Sequence, residues 1–262
     1  MRVTIVLMLF AVACGGSDYV RKYPEPSVDA VLGHVTQQTI NTTAFQSEST
    51  MDYWLKKDRV RGTVLLLGTV GSKLRFNAEN PTGGNVAVDL ACDGVGYQLI
   101  DYNNNCQSVG PCTKDTIAAL FQVEMDPVDF YALAVGSTPV ISNPTGVVKW
   151  DKHEGHETLT LQSASDQRSQ VIVLDGVDHR WDVLSSTVYD RFGEVEWKLQ
   201  NKSFYEVTGA NGKIIRVPKK THFVQPKRKA DLAIVWKKHR FNMELGPDKF
   251  EMDIPPGLAE CP

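Results

Sequence analysis

His153-Glu154-Gly155-His156-Glu157 brings two imidazoles and two carboxylates close together in the chain, a donor set that suits a transition metal. The helical zinc motif needs two residues between its first glutamate and its second histidine, so that both imidazoles share one face. Here Gly155 alone separates Glu154 from His156. The segment also falls between Val147 to Asp151 and Thr158 to Gln162, which read as strands, so it is expected to be a solvated hairpin turn with no metal. There is no G-x-S-x-G elbow, phosphate loop or dinucleotide fingerprint. No catalytic residue and no cofactor is therefore assigned, and the expectation is a protein that is not an enzyme.

Sulfur is the second reactive group. Cys106 and Cys112 flank Gln107 to Pro111 in what reads as a loop, and an oxidising compartment would let them pair. Cys92 and Cys261 form the other possible pair, and four free thiols are the alternative. None of these cysteines shows the C-x₂-C spacing of a zinc site.

The remaining cysteine carries a different chemistry. Arg2, the apolar run Val3 to Val12 and the small residues before Cys14 have the layout of a secretory signal. The run is shorter than the roughly 20 residues a spanning helix needs. Ala11-Val12-Ala13-Cys14 resembles a bacterial lipobox, in which cleavage before the cysteine leaves an acylated, palmitate-type anchor on it. That assigns residues 1–13 to a signal peptide and Cys14 to lipidation. It also makes residues 14–26 a lipidated flexible tether and 27–262 a single domain. Two or three acyl chains hold a protein on a membrane almost permanently. In the enterobacterial version of this sorting system an aspartate after the cysteine retains the protein in the inner membrane, so Gly15 points to the outer membrane, facing the periplasm.

The full chain of 262 residues has a formal charge of −3, and losing the signal removes only Arg2 from the charged residues. A slightly acidic body is not an overall basic nucleic-acid binder. Its elements open with a helix, because Val28, Val31, Leu32 and Val35 recur at helical spacing behind Pro26-Ser27. Strands follow. Lys73, Arg75 and Asn77 alternate with Leu74, Phe76 and Ala78, and Glu194, Glu196 and Lys198 alternate with Val195, Trp197 and Leu199. Asp93-Gly94, Asp175-Gly176 and Asn211-Gly212 read as two-residue hairpin turns. Further strands are expected at Val86 to Cys92, Gln170 to Leu174, Arg180 to Leu184, Lys213 to Val217, Asp231 to Trp236 and Lys249 to Ile254. Between the two sets of strands, Lys114 to Phe121 and then Asp126-Pro127 to Gly136 read as short helices.

This order of elements resembles the LolA/LolB family of lipoprotein carriers over nearly the whole chain after Cys14. Asp126-Pro127-Val128-Asp129-Phe130 and the closing Phe250-Glu251-Met252-Asp253-Ile254-Pro255-Pro256-Gly257 are the most suggestive pieces. The resemblance implies an α+β, mainly antiparallel fold: a half-open β-barrel of about a dozen strands, with the leading helix and the short central helices as a lid. It also implies an apolar cavity for lipid or for the acyl chains of lipoproteins. Leu74, Phe76, Trp181, Val183, Val195, Trp197, Leu199, Leu232, Ile234 and Trp236 are the candidate lining, and each is equally a candidate for ordinary core packing. The loop Glu79 to Asn85, where the family's outer-membrane receptor carries a hydrophobic projection, is polar here, which argues against that receptor's role.

A monomer is expected. Its expected partners are the membrane through Cys14, an acyl or lipoprotein ligand, and, as a further candidate, other envelope proteins. An envelope interaction protein without a cavity is the alternative, and a hydrolase is a weaker one. The basic residues Lys219-Lys220, Lys227-Arg228-Lys229 and Lys237-Lys238-His239-Arg240 read as a solvated, edge-protecting set ahead of an anionic-lipid patch.

Overall fold

The structure, a computed structural model, describes residues 18–261 except 56–57, 81–82 and 178–179. The signal segment, Cys14 and the Pro81-Thr82 part of the polar loop lie outside the described residues.

A helix, α1 (Val28–Asn41), starts where expected: the Ser27 hydroxyl accepts from the Ala30 amide at 3.2 Å. Val31 and Val35 form its buried stripe. Six strands follow, β1 (Ala44–Leu55), β2 (Asp58–Thr69), β3 (Lys73–Glu79), β4 (Val86–Cys92), β5 (Gly96–Asp101) and β6 (Cys106–Pro111). Two short helices come next, α2 (Lys114–Phe121) and α3 (Pro127–Ala134). Seven strands complete the body: β7 (Pro144–Asp151), β8 (His156–Ser163), β9 (Ser169–Asp175), β10 (Val183–Tyr189), β11 (Val195–Thr208), β12 (Ile214–Gln225) and β13 (Ala230–Phe241). A final pair of residues, β14 (Ala259–Glu260), lies parallel to the start of β6.

All fourteen strands belong to one open sheet in the order β14-β6-β5-β4-β3-β2-β1-β13-β12-β11-β10-β9-β8-β7. The two halves, each a meander of hairpins, are joined by the antiparallel pairing of β1 with β13. Among the described residues the ladder does not close: β7 lies at one edge, and at the other β14 pairs with Cys106 and Gln107 of β6. The expected mainly antiparallel, half-open architecture is thus present.

Several local expectations are corrected. The connections at Asp93, Asp175 and Asn211 are longer than two residues, spanning 93–95, 176–182 and 209–213. In the first, the Asp93 carboxylate accepts from the Val95 and Gly96 amides, so the aspartate builds a wider turn through its side chain. Lys249 to Ile254 is not a strand. Pro247–Phe250 makes one 3₁₀ turn, and the tail then crosses the outer face of β3 to β5, with Phe250 buried, Arg75 donating to the Lys249 carbonyl and the Met252 amide to Gln98 Oε1. β12 and β13 are central strands, so the lysines on them protect no edge. Lys237 and Lys238 pair with Glu48 instead, and Lys227 with Asp190 and Glu194.

Residues 18–26, expected within a flexible tether, are ordered against the body. From Asp18 the chain is docked on the body: the Tyr19 amide donates to the Lys152 carbonyl at 2.6 Å, and Trp150 Nε1 donates to the Tyr19 carbonyl at 3.2 Å.

The cysteines pair as Cys92–Cys112 and Cys106–Cys261, not as Cys106 with Cys112. The segment between Cys106 and Cys112 is strand β6, not a loop, and an extended strand of that length separates its ends by roughly 20 Å. Across the sheet, Cys92 stands opposite Tyr97 and Gly96 opposite Pro111, which brings Cys92 to Cys112.

Candidate functional site

Alternation decides which side chains meet on the concave face. Leu74, Phe76, Leu199, Leu232, Ile234 and Trp236 all join one buried apolar cluster. Trp181 and Val183 lie in a second cluster, under α1, with Val31, Val35, Leu159 and Ile172. Trp197 is half-buried and touches both clusters, whereas Val195 is half-buried and joins neither. Nine of the ten residues therefore belong to one or other of two packed apolar clusters on the inner side of the sheet, and Val195 belongs to neither.

Residues not singled out in the sequence contribute as much to the trough these clusters fill. Ile117, Leu120 and Phe121 of α2 and Phe130 and Leu133 of α3 are all buried in the first cluster. Phe76 meets Phe121 and Phe130 edge-on, with centroids 5.2 and 5.0 Å apart. The helices thus fill the trough beside β3. Their apolar spacing was visible in the sequence, and the resemblance placed them as a lid, but not which strands they pack on.

A small number of polar contacts holds these helices down. Gln225, at the end of β12, reads the Glu124 backbone in both directions. It accepts from the Glu124 amide at 2.8 Å and donates to its carbonyl at 2.7 Å. Tyr131 donates to the Thr42 carbonyl at 2.6 Å, and its hydroxyl pKa is pushed up by burial. Ser137 donates to the Val35 carbonyl at 2.6 Å. The Cys92–Cys112 bridge fixes the start of α2, where Thr113 and Thr116 form a reciprocal cap. Asp129, on α3, has a pKa raised to about 6, first by burial and then by Asp126.

The wall is not uniformly apolar. Ser47 and Ser49 on β1, Trp236 and His239 on β13, Thr221 on β12 and Asn201 on β11 make a buried polar seam. Trp236 Nε1 donates to the Thr221 hydroxyl at 2.9 Å, which donates to Asn201 Oδ1 at 2.9 Å. Tyr205 meets His239 Nδ1 at 2.7 Å, while His239 Nε2 and the Ser47 hydroxyl are buried without a partner. Burial pushes the His239 pKa down to about 4.

The histidine-rich turn does not gather its side chains. Glu157 points inward and is fully buried, where Arg21 lies 2.8 Å away and Tyr23 donates to it at 3.1 Å. His153 lies out at Asp18, 3.0 Å away. Among the described residues no group of three histidine, cysteine or acidic side chains could hold a metal ion.

A separate groove of about 600 Å³ lies on the opposite, convex face, between β4 to β6 and the C-terminal tail. Tyr97, Phe250 and Met252 line it together with Asp93, Asp248, Glu251 and Asp253. Its acidic rim is unlike anything an acyl chain requires.

An open antiparallel sheet with apolar contents on its concave side defines the class of fold. Solved structures carry the same one. The chain has the fold of the LolA superfamily protein NE2245 from Nitrosomonas europaea (8% identity, TM-score 0.56, covering 87% of this chain and 99% of that one). It superposes equally on a DUF1329 family protein from Desulfovibrio piger (12% identity, TM-score 0.56, covering 87% and 98%). A putative outer membrane lipoprotein-sorting protein domain from Vibrio parahaemolyticus also matches (13% identity, TM-score 0.53, covering 86% and 97%). No family model and no curated protein matches the chain by sequence. At these identities the likeness is one of fold.

Proposed function

We propose that this chain is a cell-envelope lipoprotein, anchored through acyl groups on Cys14, that holds lipid or the acyl chains of other lipoproteins against the concave face of its sheet. Lipoprotein localisation at the outer membrane, facing the periplasm, is the process this reading serves. The observation that carries it is the trough itself, an apolar layer in an open sheet occupied by the helices' own side chains. Such a layer serves an acyl chain as well as it serves Phe121 and Phe130, since each buried CH₂ contributes about 0.8 kcal/mol whichever molecule supplies it. In this reading α2 and α3 act as a removable plug, and Gln225 is the latch. The lipoprotein-sorting title of one structural neighbour supports the same direction. The function is one of binding, with no catalytic step.

The test is native mass spectrometry of detergent-free soluble protein, with Cys14 replaced, followed by lipid extraction and titration with palmitate. Co-purified lipid, or a 1:1 adduct that becomes more abundant in Gln225→Leu, is the expected result. An apo mass that no acyl ligand shifts, in both proteins, refutes the reading. The filled trough favours one alternative, an envelope interaction protein without a ligand, and that second outcome would establish it.

A further inference from the structure

In an antiparallel meander the turns alternate between two ends, and here one end holds most of the most exposed apolar side chains. The connections 70–72, 93–95, 152–155, 176–182 and 209–213 all lie at the same end as the junction where Thr43 meets Asn242. The rim they form is continuous. A methyl group on Gly94 would stand 2.7 Å from the Gly71 carbonyl oxygen, and the Val70 amide donates to the Thr43 carbonyl at 3.1 Å. The Asn242 side chain donates to the Asn41 carbonyl at 3.1 Å, and Lys213 donates to Asn41 Oδ1 at 3.0 Å. Farther round, Arg216 joins Asp182 at 2.8 Å, and a methyl on Gly155 would meet both Val177 and Tyr19.

Five of the six most exposed large apolar residues described, Val20, Ile40, Val70, Val95 and Ile214, stand on this rim, between 61% and 82% exposed. The sixth, Phe192, is at the opposite rim. The five are single branched tips, Val70 and Val95 on turns, Ile40 in the last turn of α1, Ile214 at the start of β12 and Val20 ahead of α1, with polar neighbours such as Asp93, Asn211 and Lys213 between them. A bilayer interface accepts separate apolar tips, each sinking a few ångströms below the head groups. A protein partner would call for a contiguous apolar patch.

The chain's own course selects the same occupant. Asp18 is tied to Lys152 at 2.9 Å on this rim, so Cys14, four residues earlier, is at most roughly 14 Å from it by chain reach. We infer that this rim is a membrane-contact surface, on which Val20, Ile40, Val70, Val95 and Ile214 dip into the lipid interface and set the sheet upright on the bilayer. The inference rests on the lipid-anchored reading of Cys14. It puts the end of β3 at Glu79 and the start of β4 at Val86 on the end away from the membrane.

The test uses the full chain reconstituted into phosphatidylcholine vesicles, with or without dibrominated acyl chains. Val70→Trp, Val95→Trp and Phe192→Trp each add one indole to an exposed turn, and the added emission is read against the parent chain. Brominated lipid should quench the added signal roughly twofold at 70 and 95, the depth expected of an interfacial side chain, and leave it unchanged at 192. No quenching at 70 and 95, or equal quenching at 192, overturns the inference. Hydroxyl-radical footprinting of the unsubstituted chain gives a second reading, with vesicle protection expected at Val70 and Val95 but not at Phe192. Intact mass reports the anchor separately. An acylated chain with no quenching defeats the rim and leaves the anchor standing, whereas quenching in an unacylated chain does the reverse.

Discussion

His239 gives the sharpest check on the concave wall. Its ring is 9% exposed and is packed 5.0 Å from Trp236 and 5.2 Å from Phe241, centroid to centroid. Its one hydrogen-bond partner is the Tyr205 hydroxyl, with the Lys219 ammonium over the Tyr205 ring beyond. Burial lowers its pKa from 6.5 to about 4, so between those values the unfolded chain binds a proton that the folded chain does not. The associated stability is therefore fully present above about pH 6.5 and is lost as pH falls toward 4, and the interval amounts to roughly 3 kcal/mol. Asp129 works the other way. Its pKa, raised to about 6, makes the folded chain bind the extra proton as pH falls from 6 to 4, which adds stability over much of the same window. The two effects offset each other in the parent protein, so a single pH curve does not reveal either. His239→Phe isolates the first. Urea denaturation at pH 7.5 should place the variant within about 1 kcal/mol of the parent, since only one hydrogen bond to a half-buried hydroxyl is lost. At pH 4.5 the variant should gain roughly 2 to 3 kcal/mol relative to the parent. Equal differences at the two pH values would refute the assignment of His239 as a buried neutral group.

Three other outcomes follow from the packing. A methyl on Gly68 would stand 2.3 Å from Phe45 Cε1 and 3.0 Å from Leu74, both fully buried, so Gly68→Ala should lower stability by about 1 to 3 kcal/mol in denaturant titrations. Arg21→Ala should cost about 3 kcal/mol because it leaves the buried Glu157 carboxylate without its cation and with only the Tyr23 hydroxyl, and Arg21→Ala with Glu157→Gln should recover most of that loss by the same assay. Non-reducing peptide mapping should give Cys92 with Cys112 and Cys106 with Cys261, and Cys261→Ser should cost about 4 kcal/mol, because it opens a loop of 155 residues.

Particular residues explain what the sequence made legible. β3 is legible because its inward positions, Leu74, Phe76 and Ala78, are all apolar and its outward ones all polar. β1 hides because two of its inward positions are Ser47 and Ser49, so Gln46 to Thr50 is an unbroken polar run with no period. Ser49 is satisfied only across the strand pair, by the Val64 carbonyl at 3.0 Å. In β13 the adjacent Lys237 and Lys238 break the alternation, and the structure accommodates them with a register shift opposite Glu48 and Ser49. Phe250, Met252 and Ile254 do alternate, but the tail spends that pattern on the sheet's outer face rather than in the ladder. The trough's strand residues were readable as one apolar face. The short helices were expected there as a lid through the resemblance, but the Gln225 latch was not legible, because Gln225 finds Glu124 across 101 residues and no local pattern marks such a pair.

The unequal treatment of the two sheet edges has a consequence for assembly. β14 occupies one edge, tied there by the Cys106–Cys261 bridge, while no strand among the described residues covers β7. In the language of polymer chemistry the two ends differ in reactivity, because β14 caps the β6 end over Cys106 and Gln107 alone. Joining two copies β7 to β7 would use the uncapped ends and leave two partly capped ones, which disfavours further edge-to-edge growth. Reduction of the Cys106–Cys261 disulfide would loosen that cap and shift the balance toward propagation.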